Sequence, residues 1–382
     1  MKYKPYITYY SKYKIIPVVD LNKRILKQRE CLYNLLRLDV SLFKNFNVLE
    51  IGPGVGVNAF FLLKNKIKKI DLVDANSESL KKTKKNLCSF NSKFYKIYNK
   101  DFHDFYKKQK YDLVVCENLL QGLNNPLKSL KYISTFVNPG GYLFISCGDE
   151  ISLLSEKFRG VLSSLILESN QEILNTFDLK TKFLSKIFKS HLKTLNTYVR
   201  NIENWVQDNL LYEYWWKKKN YLSIFDAISL LSKDFQYYSS SPSYFKDFSW
   251  YKKIDKNHLI KHPLTEFKKN QHNFIDKNIK QFEISLSENN NLRKIIAEIN
   301  VIIAKDLNDK NLLILIIKTE NLINFFCKFN NKFNKIIFYL ECFNYTINNF
   351  VKTKKIDYTK INLIKKWWGN GTQQLVLRKN KV

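Results

Sequence analysis

Between Asn47 and Ser146 five short apolar runs, NVLEI, KIDLVDA, KFYKIYN, YDLVVCE and GYLFIS, alternate with polar stretches. VNAFFLLKNK separates the first two runs and SESLKKTKKNLCSF the next two, and both read as helices. Strands separated by helices cannot pair as hairpins. The chain must cross over, which lays strands parallel and sets helices on both faces of the sheet. VNPGGYLFIS enters the last of these strands through Pro139-Gly140-Gly141, a turn signal. The expectation for residues 45–150 is therefore an α/β, doubly wound, mostly parallel sheet.

The flanking sequence differs. Residues 1–44 are aromatic and basic, then helical, with Leu21, Ile25, Leu32 and Leu36 near helical spacing. Residues 151–365 read as a large, mainly helical insertion or substrate domain, broken by the Ser/Pro-rich aromatic stretch YYSSSPSYFKDFSWYKK. Residues 366–382 end in GTQQLVLRKN, a glycine turn and then a strand at 374–378 that could complete the sheet. The chain is 45% hydrophobic and 15% aromatic, which argues against bulk disorder. Its six cysteines are scattered without CxxC spacing, so neither a metal site nor a disulfide scaffold is indicated. Without the apolar run of a signal peptide or a stretch long enough to cross a bilayer, the expected location is the cytoplasm. The net charge of +30 suits nucleic acid or an anionic surface. A pervasive bias toward Lys, Asn and Ile explains that charge as well. No feature sets an oligomeric state.

The stretch VLEIGPGVGVNAFF closes the first strand with three glycines in five positions. Glycine there permits unusual backbone angles and removes the Cβ atoms that would block a ligand. The dinucleotide fingerprint G-x-G-x-x-G fails at Val57. The pattern runs from Glu50 through Gly52, Gly54 and Gly56, and an acid just before the loop suits an ammonium group. Asp74, followed by Ala75, ends the second strand 22 residues after Gly52, where an acid can accept from both ribose hydroxyls. Asp101 could accept the exocyclic amine of adenine, with Phe102 against the ring. Glu117 and Asn118 emerge from the fourth strand toward the same cleft. A glycine loop, a ribose acid, an adenine acid and no phosphate anchor describe an adenosine with a charged amino-acid tail.

With these residues the sequence resembles the class I S-adenosylmethionine-dependent methyltransferases. Glu50 to Gly56 matches their first motif, and Asp74, Asp101 and the strand ending at Glu117 match the next three in order and spacing. NPGGYLFIS resembles the entry to their fifth strand and GTQQLVLRKN their antiparallel last strand. The likeness covers residues 45–150 and the last dozen or so. It implies a Rossmann-like sheet with an antiparallel last strand, S-adenosyl-L-methionine as cofactor, and Glu50, Gly52, Gly54, Gly56, Asp74, Ala75, Asp101, Phe102 and Glu117 around it. More loosely, IPVV, QRECLYNLL and SSSPSYFKDFSWYK resemble methyltransferases some of which accompany glycan modification.

Methyl transfer is an in-line displacement on an already activated donor, so positioning outweighs acid–base chemistry. Glu117 and His103 are the candidates for a base, with Asp149 nearby, and none is singled out. Cys116 lies within a strand with no proline before it and reads as core. The run Lys81-Lys82-Thr83-Lys84-Lys85 reads as a solvated helix face. Tyr237, Tyr238, Tyr244, Phe245, Phe248, Trp250 and Tyr251 could wall a pocket or pack the insertion, as could Trp215-Trp216 and Trp367-Trp368. After the fourth strand Glu117-Asn118-Leu119-Leu120 lacks the Asp/Asn-Pro-Pro-aromatic motif of amino methyltransferases acting on bases. The expectation is a small-molecule or glycan acceptor, with an RNA methyltransferase and a non-catalytic scaffold as alternatives.

Overall fold

The computed structural model describes residues 8–10, 12–13, 21–106, 108–195, 201–218, 221–243 and 256–381. The chain divides into two compact units. One comprises residues 1–148, 222–267 and 372–382, and the other residues 149–221 and 268–371.

The first unit is built on a seven-stranded sheet of order β3-β2-β1-β4-β5-β7-β6. Its strands are β1 (Asn47–Ile51), β2 (Lys69–Asp74), β3 (Tyr95–Asn99), β4 (Tyr111–Cys116), β5 (Val137–Gly148), β6 (Phe235–Ser241) and β7 (Thr372–Lys379). β1 pairs in parallel with β2 and β4, β2 with β3, and β4 with β5. β7 runs antiparallel to both β5 and β6. The central strands are buried on both faces, as VLEI and LVV require. β3, at one edge, has no fully buried residue and exposes Lys96 and Asn99.

Helices α1 (Lys23–Leu35), α2 (Val57–Lys64), α3 (Ser77–Asn86) and α4 (Pro126–Ser134) belong to the same unit. Asn22 caps α1, Asn76 caps α3 and Asn125 caps α4 ahead of a proline in the first turn. Tyr33 and Leu36 at the end of α1, with Ala59 and Leu62 of α2, join Val48, Ile70, Leu113, Val115, Phe144 and Val376 in one core. At about 25 cal/mol per Å² of apolar surface, such side chains contribute roughly 1.5–3 kcal/mol each.

The second unit is helical. α5 (Leu154–Ser169), α6 (Phe177–Thr194), α7 (Leu286–Ile303), α8 (Asp309–Cys327) and α9 (Asn334–Thr353) are its long elements. α5 is buried almost all round, from Leu154 to Ile166, which marks it as the central helix of this unit. Phe158 stacks on Phe343 of α9 at 3.9 Å between ring centroids. A Cβ on Gly160 would sit 2.3 Å from the Trp216 ring. Trp216, Trp367 and Trp368 are buried.

Two readings of the sequence need correction. Residues 222–267, expected in the helical insertion, belong to the sheet unit. The stretch taken for an aromatic loop begins with the last five residues of β6. Its serines are weak strand formers, and a register shift between Tyr237 and Ser239 interrupts the alternation. The serines survive burial because the backbone satisfies them: Ser239 Oγ donates to Leu36 O at 2.5 Å. Tyr238 likewise donates to Arg37 O at 2.9 Å. Tyr244, Phe245, Phe248, Trp250 and Tyr251, together with IPVV, lie outside the described residues.

Candidate active site

In an open parallel sheet, ligands bind at the carboxyl ends of the strands where the strand order reverses. Here the order reverses between β1 and β4. The loop after β1 holds Gly52, Gly54 and Gly56 at φ of 72°, 58° and 81°. Gly56 caps α2, and a Cβ there would press into Thr83 Cγ2 at 2.8 Å. A Cβ on Gly54 would meet nothing within 4 Å, so that glycine leaves space open.

The loop is fastened from α3. Thr83 Oγ1 donates to Gly54 O at 2.8 Å, and Asn86 Nδ2 donates to Val55 O at 2.8 Å. Thr83 is the buried member of the lysine run, whose lysines stay exposed or half-buried. Asp74, at the end of β2, accepts from the backbone N–H of Asn76 at 2.8 Å and from those of Gly54 and Ala75. Burial nevertheless pushes its carboxyl up to about 6. Asp74 is not a helix cap, and neither is Ser77, since Asn76 takes that role.

A small, mainly apolar cavity opens beside this loop. Gly52, Asp74, Ala75, Asp101, Phe102 and Leu119 are among its walls. Glu50, Gly54, Gly56 and Glu117 lie around the loop but do not line this cavity. Asp101 Oδ1 accepts from the backbone N–H of His103 at 2.9 Å and lies 2.9 Å from His103 Nδ1. The His103 ring packs against Phe102 at 3.9 Å between centroids, near Tyr132, and is not a wall of the cavity.

Behind the loop is a buried polar cluster. Arg29 of α1 donates to both carboxylate oxygens of Glu117, at 3.0 and 2.6 Å. Arg29 Nη2 also donates to Asn58 Oδ1 at 2.5 Å, and Tyr33 donates to the same oxygen at 2.9 Å. Both donors require the oxygen of Asn58 on that side, which fixes the amide orientation. Glu117 is thus committed to a forked guanidinium pair, with both of its oxygens taken up by Arg29. Glu50 makes no such forked pair among the described residues. It is 4% exposed, and burial, then the nearby charge of Glu117, push its carboxyl up to about 8 against the opposing pull of Arg29 and of the Asn58 side chain. Glu50 Oε2, Asn58 Nδ2 and Arg29 Nε are buried without a hydrogen-bond partner among the described residues. One acceptor and two donors are therefore left open in one cluster.

Residues 24–179 match the profile of the methyltransferase-domain family. This part of the chain is a class I S-adenosylmethionine-dependent methyltransferase domain. A curated relative, malonyl-[acyl-carrier protein] O-methyltransferase 2 of Ilyobacter polytropus, is 27% identical over 139 residues, 35% of this chain and 52% of its own. The chain thus spans about half the length of the curated relative it matches. Among solved structures, the N-methyltransferase NodS of Bradyrhizobium japonicum with S-adenosyl-L-homocysteine is 20% identical with a TM-score of 0.32, covering 37% of this chain and 74% of its own. A ribosomal protein L11 methylase of Lactobacillus delbrueckii subsp. bulgaricus is 20% identical with a TM-score of 0.25, covering 29% and 57%.

Arg29, Tyr33, Asn58 and Thr83 of the methyltransferase domain escaped the sequence reading. Arg29 carried a signal: it stands four residues after Ile25 and four before Tyr33, on the buried stripe of α1. A lone arginine on an apolar stripe asks for a buried acid. Asp149, the other candidate base, accepts from the backbone N–H of Ile151 at 2.9 Å in the turn before α5. Cys116 is fully buried and its thiol is pushed up by burial, away from the thiolate a nucleophile needs. Among the described residues no three His, Cys, Asp or Glu side chains gather as a metal site, and no helix is long and apolar enough to cross a membrane.

Proposed function

We propose that the protein transfers the methyl group of S-adenosyl-L-methionine to a small-molecule or glycan-type acceptor. The observation that carries this reading is the pairing of an open glycine loop with unsatisfied buried atoms beside it. Buried polar atoms without partners cost about 1–3 kcal/mol each and are retained where a ligand completes them. Glu50 Oε2 suits the ammonium of an amino-acid tail, and Arg29 Nε and Asn58 Nδ2 suit its carboxylate. In the cavity Asp74 would take the ribose hydroxyls, while Asp101 and Phe102 would face the base. The residues present fit the cofactor at both ends.

The bound cofactor would supply an electrophilic methyl group. The chain's own part is to hold that group against the acceptor and to exclude water. His103 and Glu117 are each engaged elsewhere, so neither is assigned as a base. We assign acceptor selection to the helical unit. The lack of an Asp/Asn-Pro-Pro-aromatic motif at residues 117–120, directly after β4, favours a discrete acceptor over a nucleic-acid base. The charge of +30 keeps RNA as the second reading, which predicts binding that weakens steeply with salt.

The test is calorimetric titration of S-adenosylmethionine and S-adenosylhomocysteine into the wild type and Asp74→Ala, followed by mass-spectrometric screening of sugar precursors and RNA for added methyl groups. Binding by the wild type that falls at least tenfold in Asp74→Ala is expected. No binding to folded, cofactor-free protein would overturn the reading.

A further inference from the structure

One wall of the cavity comes from a part of the chain that precedes the sheet altogether. Tyr10 lines it together with Asp74, Ala75, Asp101, Phe102, Leu119 and Leu123. The other walls come from the ends of β1 and β2 and from the turns that follow β3 and β4, as the topology requires. Nothing in the α/β pattern asks for a residue from before α1. Tyr10 lies in a short aromatic string, with its ring 5.7 Å from Tyr9, whose ring is 5.1 Å from Tyr13. Only Tyr10 of the three reaches the cavity.

We infer that Tyr10 is a binding residue for the nucleoside half of the ligand, supplying an aromatic wall against the purine. This rests on the cofactor reading above and goes further by assigning a residue outside the glycine loop and strand ends. The chemistry follows from its neighbours. The cavity holds the two acids suited to ribose and base, Asp74 and Asp101, and the ring of Phe102. Glu50 and Arg29, suited to the amino-acid tail, are not among its walls. An aromatic face added to this half meets a flat heteroaromatic ring, with which stacking is favourable and tolerant of small displacements. Residue 10 thereby ties cofactor affinity to a segment outside the sheet.

The experiment titrates adenosine, S-adenosylhomocysteine and S-adenosylmethionine into the wild type, Tyr10→Ala, Tyr10→Phe, Tyr13→Ala and Asp74→Ala, with a melting curve of each free protein. Tyr10→Ala is expected to weaken all three ligands about tenfold and equally, with an unchanged melting temperature. Tyr10→Phe and Tyr13→Ala should stay within twofold of the wild type. Tyr10→Ala within twofold of the wild type, while Asp74→Ala fails, would overturn the role of Tyr10 and leave the cofactor reading standing. Loss confined to S-adenosylmethionine would also overturn it, because the ring would then face the sulfonium. Equal loss in Tyr13→Ala would reduce Tyr10 to packing of the aromatic string. No binding by the wild type would remove both readings together.

Discussion

The sheet unit and the helical unit each bury a charged cluster, and they treat it in opposite ways. In the helical unit Arg159 is fully buried, yet its guanidinium donates to Ser155 O at 3.0 Å, Ile364 O at 3.2 Å, Trp367 O at 2.5 Å and His191 Nδ1 at 3.2 Å. It also lies 3.7 Å from the Trp368 ring centroid, a cation–π contact. Four of its five N–H donors are used, and the residue joins α5 to α6 and to the turn at 364–368. In the sheet unit Glu50 is nearly as deeply buried and feels the charge of Arg29, yet no direct ion pair holds it among the described residues, and atoms of Asn58 and Arg29 beside it are open. A satisfied buried charge is architecture. An unsatisfied one is a cost the fold carries for something it binds.

Substitution should separate the two. Arg159→Met strands three carbonyls and empties a stacked site. It should cost the helical unit about 3–5 kcal/mol. Five of the six tryptophans, Trp205, Trp215, Trp216, Trp367 and Trp368, belong to that unit, so tryptophan fluorescence in urea reads it in the main. Glu50→Gln should do the reverse. It replaces a buried carboxyl that burial keeps largely protonated at neutral pH with an amide of the same shape, so stability should hold, while S-adenosylhomocysteine binding should fall about 10- to 100-fold, the scale of one charge-assisted hydrogen bond to the ligand's ammonium. If Glu50→Gln unfolds the sheet unit, or binds like the wild type, Glu50 is architecture after all.

The loop glycines sharpen the same contrast within one unit. Gly54→Ala places its methyl in open space and should cost only the left-handed backbone strain, about 1–2 kcal/mol. Gly56→Ala adds a collision with Thr83 and should cost about 2–3 kcal/mol. Relative to that stability loss, Gly54→Ala should lose more ligand affinity. Melting curves and titrations on the pair would show it, and a Gly54→Ala protein that binds normally would mean the ligand does not approach this backbone.

The units should also answer pH with opposite signs. Glu50 and Asp74 sit above their ordinary values, at about 8 and about 6. The folded sheet unit therefore holds more protons than its unfolded chain. That stability is complete below the ordinary carboxyl range and is lost as pH rises through about 6 and then about 8. In the helical unit burial pushes His191 down to about 2 and Lys218 down to about 7. There the unfolded chain holds more protons, so stability rises with pH below about 6.5 and again above about 7. Each group contributes a slope of at most about 1.4 kcal/mol per pH unit. Hydrogen exchange corrected for intrinsic rates should show β1 and β2 losing protection from pH 5.5 to 8.5 while α5 gains it. A common sign in both units would sink this account, and Glu50→Gln should flatten the sheet unit's slope alone.

How much of this could be read from the chain follows the same division. In the sheet unit each apolar run became a strand and each acid after a strand landed near the glycine loop, because parallel topology converts chain order into spatial order. β6 escaped because serine and tyrosine spell a loop until β7 pairs with them. Arg29, Asn58 and Thr83 escaped because their importance lies in contacts across the fold, to Glu117, Tyr33 and Gly54. The helical unit was legible only as helices. Periodicity tells which face of a helix is buried, but α5 is buried on all sides, and its partners are set by fits such as Gly160 against Trp216.

The smallest effect expected tests how the open atoms are held. Tyr33→Phe keeps the ring among Phe43, Phe61 and Phe144 and removes only the hydroxyl that donates to Asn58. Asn58 Oδ1 still accepts from Arg29, so the amide should keep its orientation and Nδ2 should stay available. Stability should fall by about 0.5–1.5 kcal/mol, the net worth of one hydrogen bond. Affinity for S-adenosylhomocysteine should fall no more than two- to threefold, read by calorimetry beside Glu50→Gln. If Tyr33→Phe instead loses as much affinity as Glu50→Gln, the orientation of Asn58 organises the site more than the charge of Glu50 does. The unpaired carboxyl would then be a consequence of how α1 and α2 pack, and not the feature the ligand is recognised by.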